Sequence, residues 1–255
     1  MRTFPWSEEL LQLQREAALR RTHGDALRRQ ADALRRQGDA LQAEVKYDEA
    51  DVEFRAGIAL LDRALHVLGQ LPLSHRFGPE EVPALSEEEL ARARELVEVH
   101  GSRAGLLRRV GDAKSALKGY EAGADLERRL VPESTYNRTN EIKYGLLTGM
   151  RNLADLSPDI EALERQTTQS LNESPKLGDS GWAWADLGDL RALRGDGEGA
   201  ERAYRTFIAK AKPTAPRTTL DVLSSIQAVL EQTNKEAAAS IRQSLEYVQG
   251  KLNLS

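Results

Sequence analysis

Apolar residues recur every three or four positions along most of this chain, which is the period of helices that bury one face. The last stretch shows the pattern well, because Ala238, Ile241, Leu245 and Val248 lie on one side of a helix predicted over 235–249. Breaks in the pattern coincide with glycine and proline, which end helices. The whole pattern predicts an all-α chain, a solenoid of about ten or eleven helices without a sheet.

The clearest periodic run covers residues 25–41, where a heptad beginning Asp-Ala-Leu-Arg-Arg-Gln is nearly repeated. Leu27, Leu34 and Leu41 form one stripe, and small residues beside it allow a neighbouring helix to approach closely. We interpret the last heptad as the first helix of a hairpin, with Gly38 as its small packing residue. The alternative is a coiled coil through which residues 7–45 associate with a second copy.

Two segments rich in helix breakers divide the chain. Residues 71–85 carry three prolines, and a second break covers residues 132–135. The second break predicts two domains, residues 1–131 with the heptad-bearing helix and residues 132–255 with capping helices at the end. After the first break, Ser86 followed by three glutamates predicts a capping box at a helix start.

Aromatic, small and turn residues follow a fixed spacing at Trp184, Leu187, Gly188, Ala200, Tyr204 and Pro213. This spacing resembles the tetratricopeptide repeat, a helix-turn-helix unit of about 34 residues. Partial versions of it are the sets Gly38, Ala50, Phe54 and Ala104, Ala116, Tyr120. The resemblance implies a scaffold of stacked hairpins that binds a partner along the face formed by the first helix of each hairpin.

A second resemblance covers residues 136–231. Its motif residues are Tyr136, Asn137, Asn140, Leu146, Leu147, Gly149, Trp182, Trp184, Gly195, Asp196 and Ala200. They are similar to the TRAFs-binding regulatory domain of apoptosis-signal-regulating MAP kinase kinase kinases, which is itself built of tetratricopeptide-like repeats. This resemblance implies a regulatory platform that docks signalling partners and carries no catalytic residue.

Composition narrows the classes of function. The net charge is -4, so no overall positive charge points to nucleic acid. The chain has no cysteine, which excludes disulfides, thiolate metal sites and a cysteine nucleophile. The four histidines lack the spacing of metal ligands, and there is neither a phosphate-binding loop nor a nucleophile elbow. We therefore expect no metal, no cofactor and no enzymatic activity.

The sequence has no signal-peptide core and no apolar run of about 18 residues, which predicts a cytoplasmic protein with no membrane contact. Together with the repeat resemblance, this predicts a non-enzymatic adaptor that binds a peptide or protein partner, in a signalling or defence assembly. The alternative is a nucleic-acid-binding helical repeat that uses its rows of paired arginines.

Candidate partner-binding residues come from the groove positions of the repeat and from polar and aromatic side chains beside them. Most double arginines have an aspartate nearby and are expected to form a solvated face, whereas Arg108 and Arg109 have fewer acidic neighbours. Trp182 and Trp184 point to different faces of one helix, so one is expected in the core. The candidate set is Arg35, Asp39, Gln42, Arg108, Arg109, Tyr136, Asn140, Tyr144, Trp182 and Asp189.

Overall fold

A computed structural model describes residues 4–69, 85–173, 179, 181–210 and 215–252. These residues form ten α-helices and no strand, which confirms the all-α prediction. The helices are α1 (Ser7–Arg36), α2 (Ala40–Leu68), α3 (Glu87–Arg109), α4 (Ala113–Leu130), α5 (Tyr136–Leu147), α6 (Leu153–Glu173), α7 (Trp182–Leu193), α8 (Gly197–Lys210), α9 (Ala215–Thr233) and α10 (Lys235–Leu252).

The chain forms two compact units, Met1–Pro132 with α1–α4 and Glu133–Ser255 with α5–α10. The predicted proline-bearing break and Pro213 lie outside the described residues, except for Leu85 at the end of the break. Within the described ranges, no helix combines the length and the apolar character needed to cross a membrane.

Three hairpins, α1–α2, α3–α4 and α7–α8, contain the same glycine-aspartate turn. Gly38, Gly111 and Gly195 have φ values of 87°, 80° and 86°, a conformation that the absence of a Cβ permits. The amide of the aspartate that follows each glycine donates to the carbonyl five residues earlier, at 3.0 Å in all three turns. The same aspartate's carboxylate accepts from the amide three residues later and caps the second helix.

These turns correct the predicted register of the first hairpin. Gly38 lies in the turn and not within the first helix, because α1 has already ended. Counting from the turn, the positions that match Ala104, Ala116 and Tyr120 of the next hairpin are Ala31, Ala43 and Tyr47. The predicted set of Gly38, Ala50 and Phe54 is wrong by one heptad, since the repeated heptad offers two similar registers.

The core of the first unit lies where α1, α2 and α3 meet. A glycine such as Gly24 commonly ends or bends a helix, but α1 continues through it to Arg36. Gly24 is buried against Phe54, and a Cβ there would lie 2.4 Å from the phenyl ring. Gly24 therefore permits close packing and does not end the helix. At the start of α3, the Ser86 hydroxyl and the Glu89 carboxylate form the predicted capping box.

The second unit differs from prediction at one helix start. Ser157 followed by Pro158 is typical of a helix start and predicts one there. Helix α6 instead begins at Leu153, because the Asn152 side chain accepts from the amide of Asp155 at 2.9 Å. Pro158 consequently lies inside the helix. The predicted apolar side of α10 is confirmed, since Ala238, Ile241, Leu245 and Val248 are buried.

Candidate partner-binding surface

A buried ion pair joins two helices of the second unit. Lys143 of α5 lies 2.5 Å from one carboxylate oxygen of Asp189 on α7. The hydroxyl of Tyr204, on α8, donates to the other oxygen at 2.6 Å. All three side chains are buried. Asp189 therefore connects three helices, and both its oxygens are engaged within the fold.

Both proton donors of this cluster keep their protons at neutral pH. Burial raises the pKa of the Tyr204 phenol well above its usual value, and the neighbouring Asp189 raises it further. Burial by itself would lower the pKa of Lys143, but the carboxylates of Asp189 and Asp186 outweigh it and the pKa is raised. The cluster is thus a charged lysine and a neutral phenol held by one aspartate.

These shifts predict a loss of stability in alkali. Folding raises the pKa of both Lys143 and Tyr204 above the values of the unfolded chain, which are near 10. Such a group stabilises the native state fully at pH values below its unfolded pKa. This stabilisation is lost as the pH rises through the pKa of the folded state. For each such group the unfolding free energy falls by up to about 1.4 kcal/mol per pH unit. Urea unfolding at pH 8 to 11 measures how much unfolding free energy the wild type and Tyr204→Phe each lose as the pH rises, and we expect the wild type to lose more. Equal losses in the two proteins would contradict this role of Tyr204.

Helices α5 and α7 run in the same direction. Arg191 of α7 bonds Glu164 of α6 at 3.1 Å, and Arg194, one turn later, lies 3.7 Å from Glu161, one turn earlier. The α6 and α7 helices are therefore antiparallel. Arg138 of α5 likewise donates to Gln166 of α6 at 2.6 Å across a short turn, which makes α5 and α6 antiparallel.

Two exposed aromatic residues lie at the amino-terminal ends of these parallel helices. Tyr136 is seven residues before Lys143, and Trp182 is seven residues before Asp189, so each lies two turns above the ion pair. Tyr136 is 39% exposed and Trp182 is 42% exposed. The Trp182 ring also contacts Phe207, with ring centroids 5.5 Å apart. We call Tyr136 and Trp182 the α5–α7 aromatic surface.

The second tryptophan of α7 has the role expected of a packing residue. Trp184 is partly buried and packs against a cluster that contains Leu171, Leu187 and Ala203. The two indoles thus lie on different faces of α7, and Trp182 is the one that remains accessible.

The ten predicted site residues fall into three separate places. Arg35, Asp39 and Gln42 lie at the α1–α2 turn, where Asp39 caps α2 through the amide of Gln42. Arg108 and Arg109 end α3. The remaining five lie on α5 and α7: Tyr136, Asn140, Tyr144, Trp182 and Asp189.

Three of the predicted residues do not fit a binding role because the fold covers them. Asn140 and Tyr144 are buried in α5, and the Asn140 side chain bonds the carbonyl of Tyr136 at 2.8 Å. Asp189 is buried in the ion pair. Sequence reasoning missed the partner of Asp189, Lys143, although a lysine two helical turns from Tyr136 lies on the same helix face.

One arginine in each of three arginine pairs bonds a carboxylate of another helix. Arg109, predicted to have few acidic neighbours, bonds the carboxylate of Asp25 at 2.8 Å. That prediction considered neighbours in sequence, whereas α1 brings Asp25 to α3 from far along the chain. Ion pairs of the same kind join α1 to α2: Arg20 to Glu53 at 3.0 Å and Arg28 to Asp51 at 3.1 Å.

The described residues contain no cluster of three or more histidine or acidic side chains able to hold a metal ion. No protein-family model matches the chain, and no curated protein matches it. The structure is similar to the crystal structure of BtubC (BKLC) from P. vanneervenii, with 16% identity over 94% of this chain and 92% of that chain. The TM-score is 0.38, and the likeness carries no argument about fold or function.

Proposed function

We propose that this protein is a non-enzymatic adaptor that docks a protein or peptide partner on the α5–α7 aromatic surface. One observation carries the proposal: Tyr136 and Trp182 are exposed at equivalent positions of two parallel helices that a buried ion pair holds together. Tyrosine and tryptophan, together with arginine, are the side chains most enriched among the residues that dominate binding energy at protein interfaces.

The buried cluster beneath the surface supports this function by fixing its shape. Lys143 and Asp189 join α5 to α7, and Tyr204 ties α8 to the same carboxylate. A partner then meets two aromatic rings on helices that are already in place, so less conformational entropy is lost on binding. Trp182 is further oriented by its contact with Phe207.

The two sequence resemblances agree with such a role. A tetratricopeptide-like unit binds along the first helix of each hairpin, and α5 and α7 are the first helices of theirs. The resemblance to a TRAFs-binding regulatory domain suggests that the partner belongs to a cytoplasmic signalling or defence assembly. Binding of nucleic acid is less well supported, because Arg20, Arg28 and Arg109 already bond carboxylates.

The proposal predicts that Tyr136→Ala/Trp182→Ala weakens capture of the partner by at least about tenfold, because truncating an aromatic anchor typically costs more than 1 kcal/mol. Capture is measured by affinity purification from lysate of the native host, with and without nuclease treatment, followed by quantitative mass spectrometry. Met150→Ala is the matched control, since Met150 is exposed in the same unit but away from the surface.

Thermal melting of each variant shows whether its fold is intact. A set of captured proteins that is the same for the wild type, the double variant and Met150→Ala would overturn the proposal. Loss of all capture on nuclease treatment would favour the nucleic-acid alternative instead.

A further inference from the structure

One side of α2 carries an apolar stripe that no other part of the described chain covers. Leu41 is 75% exposed, Val45 is 50% exposed and Val52 is 66% exposed. Their spacing of four and seven residues places them on one side of the helix, and Ala59, seven residues further on, is exposed there too. We call Leu41, Val45, Val52 and Ala59 the α2 stripe.

The α2 stripe is distinct from the seam of the α1–α2 hairpin. The hairpin seam buries Ala43, Ala50 and Phe54 of α2, and it also takes up Leu27 and Ala31 of α1. Leu27 and Ala31 of the predicted heptad are therefore already packed within one chain, whereas Leu41 of the same heptad stripe is exposed and belongs to the α2 stripe. The stripe lies on another face of the same helix.

Two opposite charges interrupt the α2 stripe. Asp48 and Arg55 lie on the same side of α2, seven residues apart, and both are exposed. Neither forms a hydrogen bond or an ion pair within the described residues, whereas charged neighbours on other faces of α2 do, such as Lys46 with Glu49 at 2.6 Å. The two charges are too far apart along one helix to pair with each other.

We infer that the α2 stripe pairs with the α2 stripe of a second copy, antiparallel to it, about a two-fold axis near Val52. Under this symmetry Val52 meets Val52, and Val45 of one copy lies opposite Ala59 of the other. Asp48 lies opposite position 56 of the other copy, next to Arg55. Asp48 of each copy then lies close to Arg55 of the other copy, so the dimer contains two such opposite-charge contacts.

The charge pattern selects a second copy as the occupant. A two-fold axis requires a self-complementary surface, and an acid and a base placed on either side of Val52 provide one. The apolar part is small, so the interface falls below the about 1,200 Å² of stable complexes and the dimer is weak. Its population therefore depends on protein concentration.

Sedimentation velocity of the full chain between about 1 and 500 µM measures this association, a range suited to weak complexes. The wild type shifts from monomer to dimer as concentration rises. Val52→Glu raises the dissociation constant by about 100-fold, since two carboxylates then meet at the axis. Leu19→Glu is the matched control, because Leu19 is exposed on α1 outside the stripe, and it leaves the association unchanged.

A charge exchange tests the antiparallel arrangement. Asp48→Arg alone and Arg55→Glu alone each weaken the dimer by about tenfold or more, because like charges then face each other. An equimolar mixture of the two variants associates as tightly as the wild type, since every contact in the mixed dimer again joins opposite charges. Asp48 and Arg55 are both exposed, so circular dichroism melting of each variant shows unchanged stability.

Three outcomes overturn the inference. A chain that stays monomeric over the whole concentration range has no such interface, and the stripe then has another occupant. A dimer that tolerates Val52→Glu uses a different surface. A dimer that responds to Val52→Glu but is not restored by mixing the charge variants rules out the antiparallel pairing.

Discussion

Lys143→Met lowers the unfolding free energy of the second unit by about 3–5 kcal/mol, the cost of leaving one member of a buried ion pair without its partner. The substitution keeps most of the length of the side chain and removes its charge. Asp189, which is buried and 2.5 Å from the lysine nitrogen, then retains only the bond from Tyr204.

Lys143→Met/Asp189→Asn is the matched control for that result. Asparagine still offers Tyr204 an acceptor but carries no charge, so the double variant recovers much of the lost stability. Urea unfolding in a Trp6→Phe background gives the measurement, because Trp182 and Trp184 then report on the second unit alone. If the double variant were as unstable as the single one, burial of an unpaired charge would not be the cause.

Phe54→Ala lowers the unfolding free energy of the first unit by about 3–5 kcal/mol, the usual cost of truncating a phenylalanine in a core. Phe54 is fully buried and packs on Gly24, where the helices approach too closely for any Cβ. The guanidinium groups of Arg28 and Arg109 also lie 5.0 Å and 5.9 Å from its ring centroid. Their cation–π attraction is lost with the ring.

Two control variants test whether the loss of stability comes from the buried ring. Phe54→Leu keeps most of the apolar volume and costs clearly less than alanine, while Leu19→Ala, on the exposed side of α1, changes stability by less than about 0.5 kcal/mol. Trp182→Phe/Trp184→Phe leaves Trp6 as the reporter of the first unit. A loss below about 1 kcal/mol for Phe54→Ala would contradict the core described for α1, α2 and α3.

The sequence predicted those parts of the fold that depend on local chemistry. Ser86 and Glu89 cap α3 as expected because a capping box involves only residues three apart. The turn at Gly195 and Asp196 likewise depends on near neighbours, since the Asp196 carboxylate accepts from the amide of Gly199. The role of Gly24 could not be predicted locally, because a glycine can either end a helix or allow a close contact. The contact with Phe54, which is distant in sequence, shows that Gly24 allows close packing.

The candidate site was less predictable, since its contacts join residues distant in sequence. Trp182 was predicted from the groove positions of the repeat and Tyr136 from the polar and aromatic side chains on its helix, but the ion pair beneath them joins positions 143 and 189. The same applies to Arg109, whose carboxylate partner Asp25 comes from another helix. The repeated heptad shifted the register of the first hairpin because Gly38 and Ala31 occupy equivalent places in it.

Site-specific photo-crosslinking tests the proposed docking surface most directly. A benzophenone side chain replaces Trp182 in the full chain, in the native host, and Val229, exposed on α9, carries it in the control. The proposal predicts a discrete protein adduct from position 182 that is absent from position 229 and is lost when Tyr136→Ala is added. No adduct at position 182, or the same adducts at both positions, would contradict it.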